Sequence, residues 1–120
     1  MRPYVLGISL MLMGLTNTAL AQHVKIVGIG ASTCTRFDEE IARNPTVERD
    51  YFAWAQGFMS AILLRAPEGK DKGLDLSPES LPLQQQASFL RIFCARNSEL
   101  NYSDGVVALY RELRKLSGEK

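Results

Sequence analysis

The residues of this chain best equipped for chemistry are its two cysteines, Cys34 and Cys94. A thiolate is a nucleophile and a soft metal ligand, and a pair can serve as a redox couple, as part of a zinc site or as a structural disulfide. The groups that reactive cysteines need beside them are scarce. The one histidine, His23, is the second residue of the expected mature chain, a poor place for a general base or a metal ligand, and no other histidine is there to activate a serine or threonine. Asp38, Glu39 and Glu40 are three adjacent acids. Such acids do acid–base work only in a cleft that shifts their pKa values, and neighbouring carboxylates on a helix normally face water. Gly28-Ile29-Gly30 begins like a phosphate loop, but no third glycine and no Gly-Lys-Ser/Thr follows. The stretch 66–80 lacks the spaced Asp/Asn ligands and closing Glu of a calcium loop. No catalytic residue, metal or cofactor is therefore expected, and the chain reads as a non-enzymatic protein.

The start of the sequence sets the compartment in which those thiols sit. Arg2 precedes an uncharged apolar run from Tyr4 to Leu15, a polar break at 16–18, and the small-x-small sequence Ala19-Leu20-Ala21. This is the grammar of a cleavable export signal, with cleavage expected after Ala21. The apolar run is well short of the roughly 20 residues a spanning helix needs. Gln22, not cysteine, follows the cleavage site, so a lipid anchor there is not expected. The expected organisation is a signal peptide over 1–21, an N-terminal arm over 22–31 and a helical domain over 32–120, working in the periplasm or fully secreted. In that oxidising setting an even pair of cysteines favours a Cys34–Cys94 disulfide over a reactive thiol or a metal ligand. Closing a loop of 60 positions is worth about 4 kcal/mol by chain entropy.

Charge narrows the partners. Of 14 Lys+Arg and 13 Asp+Glu, Arg2 leaves with the signal, so the mature chain is formally neutral. Nothing supplies the cationic excess that nucleic acid demands, and no membrane insertion is expected after cleavage.

Helical spacing dominates the rest. Ser32 or Thr33 can cap a first helix that places Cys34, Phe37 and Ile41 on one face. Asn44-Pro45 opens a second helix, to about Arg65, with Val47, Tyr51, Trp54, Phe58 and Ile62 in one stripe, widened by Ala55, Met59 and Leu63. Ala53, Gly57 and Ser60 add a narrow small-residue stripe that suits a close helix contact, internal or between two copies. A loop over 66–80 is pinned by Leu74 and Leu76. A third helix, from about Pro82 to Arg96, carries Leu83, Ala87, Leu90 and Cys94 inward and Gln84, Gln85 and Gln86 toward water. The last helix is capped by Ser103 or Asp104, buries Val106, Leu109, Leu113 and Leu116, and turns Arg111, Glu112, Arg114 and Lys115 to solvent. With no sustained alternation to build a sheet, the expected fold is all-α, a small bundle of about four helices held by one disulfide.

Three segments carry a family likeness: "TCTRF" (Thr33 to Phe37), "WAQGFMSA" (Trp54 to Ala61) and "FCARNSELNYSDGVVALYRELRK" (Phe93 to Lys115). Over about residues 32–116 the chain resembles the HdeA/HdeB family of small periplasmic acid-stress chaperones and exported proteobacterial proteins of similar layout. The resemblance implies a homodimer near neutral pH that loosens in acid and offers apolar residues to unfolding clients. The residues expected to meet a client or partner are Val47, Tyr51, Trp54, Phe58, Leu90 and Leu109. The alternative is a specific interaction module, such as a periplasmic immunity protein or an accessory subunit of an envelope complex, with one tight partner at neutral pH.

Overall fold

The structure is a computed structural model that describes residues 25–118. The expected signal peptide, its cleavage site and His23 lie outside the described residues. Four helices follow in order: α1 (Cys34–Arg43), α2 (Glu48–Leu64), α3 (Leu83–Arg96) and α4 (Tyr102–Leu116), with 3-10 turns at Ile29–Ala31 and Pro45–Val47. Among the described residues there is no strand, only an isolated antiparallel bridge between Thr33 and Asn101.

Local chemistry sets most helix ends. The Thr33 side chain accepts from the Arg36 N–H and starts α1. Asn44 caps the 3-10 turn that precedes α2, with Pro45 at its first position. At α4 the cap is Asn101, two residues earlier than Ser103. Asp104, one of the two expected caps, instead stands in the first turn, where its carboxylate accepts the Asn101 backbone N–H at 2.9 Å.

Helix α3 packs against both α1 and α4, and α2 against α4. The Cys34–Cys94 disulfide joins the first residue of α1 to the last turn of α3, as the sequence implies. Backbone bonds reinforce that seam. The Cys34 N–H donates to the Leu100 carbonyl at 2.8 Å, and the Tyr102 N–H to the Ser32 carbonyl at 2.9 Å. Beneath it Phe37, Tyr51 and Tyr102 form an aromatic triangle with ring centroids 4.8–5.0 Å apart. Such pairs add about 0.5–1.5 kcal/mol each beyond area burial.

Two buried faces are rotated from the expected ones. On α2 the fully buried line is Tyr51, Ala55 and Met59, while Val47, Trp54, Phe58 and Ile62 flank it, half-buried. On α3 the buried line is Gln86, Leu90 and Cys94, whereas Leu83 is exposed. Gln84 and Gln85 do face water. Gln86 does not: its Nε2 donates to the Leu76 and Leu81 carbonyls, both at 3.0 Å. Those carbonyls belong to the loop and have no helical partner, so burying them calls for a donor from the bundle. Leu74 is buried and Leu76 half-buried beneath the same loop, as expected of its pins. At the end of α4, Leu116 is exposed rather than buried, and Arg114 is largely covered rather than solvated.

Candidate functional site

The six residues expected to meet a client do not form one surface in the folded chain. Tyr51, Leu90 and Leu109 are core residues, at most 1% exposed. Val47, Trp54 and Phe58 lie at the rim of the core, half-buried. Trp54 and Phe58 stack, with centroids 4.9 Å apart and planes 20° from parallel. They make a ledge on α2, and the arm lies on it. The Trp54 indole N–H donates to the Val27 carbonyl at 3.2 Å. Its ring presses so closely on the arm that a Cβ at Gly30 would stand 2.1–2.3 Å from three ring carbons. Gly28, at φ +93°, turns the chain onto the same ring. Gly28 and Gly30 of the arm are thus a glycine seat for an indole. The sequence signal for it, two glycines one residue apart, becomes readable only with the tryptophan that they face.

Among the described residues, nothing packs on the small-residue stripe of α2. Ala53, Gly57 and Ser60 are all exposed, and a Cβ added at Gly57 would meet no atom within 4 Å.

Sequence reasoning missed a second feature, the polar latch on the 66–82 loop. Asp71 adopts φ 58°, a left-handed conformation that aspartate tolerates better than most residues. This turns its side chain, 4% exposed, into the bundle. There Oδ2 accepts from the Tyr110 hydroxyl at 2.8 Å and Oδ1 from Arg114 Nε at 2.5 Å. Burial acts to raise the Asp71 pKa, but the hydrogen bonds from Tyr110 and Arg114 outweigh it and hold the carboxyl below its usual range. Tyr110 responds in the opposite sense: burial first, then its bond to Asp71, pushes it up to about 12. The interaction spans 39 and 43 positions of sequence, beyond any local pattern.

Glu40 is a carboxylate fastener at the other end of the aromatic core. It accepts from the Tyr51 hydroxyl at 2.6 Å and from Arg36 Nε at 2.8 Å. The Tyr51 bond first, then that from Arg36, lowers its pKa. Asp38 is the counter-case, raised by burial alone. Asp38 and Glu40 are each partly covered and Glu39 is exposed, so the three acids occupy different surroundings rather than one shared site.

Neither described cysteine is free. Among the described residues no group of three or more His, Cys, Asp or Glu is placed to hold a metal ion, and no helix is long and apolar enough to cross a membrane. Two anionic fasteners, Asp71 and Glu40, thus close the periphery of a domain whose α1–α3 seam is covalent. No protein family, curated protein or solved structure matches this chain.

Proposed function

We propose that this chain is an exported, non-enzymatic protein-binding protein whose apolar interior is opened by acid, in the manner of a periplasmic stress chaperone. One observation carries the reading. The loop over α4 is fastened by the ionised Asp71 carboxylate, while the α1–α3 seam is held by a disulfide that does not titrate.

The pH dependence follows from linkage. A carboxyl whose folded pKa is depressed stabilises the fold fully above its unfolded pKa, and loses that contribution as pH falls through the folded value. Asp71 and Glu40 are both depressed. Their fastening is therefore intact at neutral pH and declines from about pH 4 downward. Asp38, raised, works in the opposite sense and slightly favours the fold on protonation. Below about pH 3 most of the 13 carboxylates are neutral, and the cations repel one another without counterparts. The rim residues Val47, Trp54 and Phe58 become available first, and Tyr51, Leu90 and Leu109 only on fuller opening. The staple between α1 and α3 limits how far the chain expands.

The test is aggregation of unrelated exported proteins as pH is lowered from neutral to 2, with and without the oxidised mature chain. Protection that appears only in acid, and weakens when Cys34–Cys94 is reduced, supports the reading; precipitation of the chain alongside its clients removes it. A second reading has one observation in its favour. On α3, Ile92 is 52% exposed and lies with Phe89 and Phe93 around a depression of about 320 Å³ in the neutral fold. An apolar spot available without acid suits a module with one dedicated partner. That reading predicts tight binding at pH 7, abolished by Ile92→Asp, and no protection in acid.

A further inference from the structure

Three segments bring four cations to one cleft. Arg65 follows the last turn of α2, Lys70 lies in the loop, and Arg111 and Arg114 project from α4. The cleft holds about 410 Å³, within the range of small-molecule sites, and Ile62 and Val107 give it an apolar floor. Among the described residues Asp71 is the only carboxylate that lines it, and that carboxylate is already engaged by Tyr110 and Arg114. Arg65, Lys70 and Arg111 are exposed and form no ion pair with the described residues. Cations near a helix C-terminus are favoured by the helix dipole, which accounts for Arg65 and Arg114 singly. It does not account for Lys70, which approaches from a loop, nor for the concentration of like charge over an apolar floor, which is unfavourable until a counter-charge arrives.

We propose that this cleft binds a phosphate monoester, its dianionic head between Arg65, Lys70 and Arg111 and its organic part on Ile62 and Val107. Three donors approaching from three segments match a tetrahedral dianion with three acceptor oxygens better than they match a single planar carboxylate. The proposal is independent of acid-triggered client binding, since it concerns the closed fold at neutral pH.

The experiment is titration calorimetry on the oxidised mature chain at pH 7 and low salt, with phenyl phosphate as the soluble probe. Phosphatidylcholine vesicles containing phosphatidic acid serve as the membrane-borne probe. Lys70→Gln and Arg111→Gln remove cations from exposed positions, and circular dichroism checks that each variant folds. Saturable binding of phenyl phosphate, weakened by roughly tenfold to a hundredfold by each substitution, is expected, since each removes a hydrogen bond to a charged group. If vesicles also bind and phenyl phosphate competes them off, the site takes the same group from a lipid headgroup. The proposal is overturned if phenyl phosphate does not saturate the protein, or if both substitutions leave its affinity unchanged.

Discussion

Replacing Gly30 by alanine tests the packing of the arm on α2 with a single methyl group. The added Cβ would stand 2.1 Å from Trp54 Cε3, 2.2 Å from Cζ3 and 2.3 Å from Cδ2. Carbon atoms at rest are about 3.5–4.0 Å apart, so ring or arm must shift by roughly 1.5 Å. The contact is with the body of the indole, not the tip of a flexible chain, and the same ring is stacked on Phe58. Overpacking of this kind costs about 1–3 kcal/mol. At about 4–8 °C per kcal/mol for a domain of this size, the melting temperature falls by roughly 5–20 °C. Gly57→Ala is the matched control. It lies inside α2 with open space where its Cβ would go, so the substitution should stabilise by about 0.5–1 kcal/mol through helix propensity. Urea unfolding followed by tryptophan emission reads both effects, because Trp54 is the only tryptophan in the chain. A Gly30→Ala protein with wild-type stability and an unchanged emission spectrum would refute the arm-on-indole packing. A destabilised Gly57→Ala would show that the exposed stripe is covered by something outside this chain.

Three further expectations follow from the same contacts. Replacing both cysteines by alanine should lower unfolding stability by about 4 kcal/mol, read from urea midpoints of the double variant against the oxidised parent; a difference under about 1 kcal/mol would mean that the staple does little to the unfolded chain. Gln86→Leu keeps the volume but strands the Leu76 and Leu81 carbonyls, so it should destabilise by about 1–3 kcal/mol and raise amide exchange around residues 76–81, checked by hydrogen-exchange mass spectrometry. Tyrosine titration of the mature chain should be delayed: Tyr51, Tyr102 and Tyr110 are all raised, chiefly by burial, so tyrosinate absorbance at pH 10 should be lower in the folded protein than in the urea-unfolded one, and equal absorbance in the two would contradict their burial.

The helices were readable because each has a 3–4 spacing of apolar residues and a polar start. Thr33, Asn44-Pro45 and the Cys34–Cys94 pair carry their meaning within a few residues or, for the thiols, in their number. The exact buried face of α2 was less readable. An apolar arc running from Val47 to Leu63 covers nearly half the helix, and only its tertiary neighbours, α4 and Phe37 of α1 among them, select Tyr51, Ala55 and Met59 as its centre. Gln86 misled because glutamine beside two more glutamines looks solvated, and its burial depends on loop carbonyls with no donor of their own. The Asp71 latch was invisible for a similar reason. Nothing in "GKDKG" distinguishes that aspartate from its neighbours until Tyr110 and Arg114 fold over it. As a consequence, the residues expected to bind a client were chosen for apolarity alone. They proved to be half core and half rim, and the groups that would control access to them are polar.

Asp71 is the proposed acid-sensitive fastener, and the pH at which client protection begins, compared between the wild type and Asp71→Asn, tests that role. Asparagine keeps the shape but removes the charge that Arg114 and Tyr110 engage. Wild-type protection should begin below about pH 4, and the variant should protect clients at a higher pH, where the wild type is still closed. The same onset in both proteins, or no protection by either at any pH, would contradict that role.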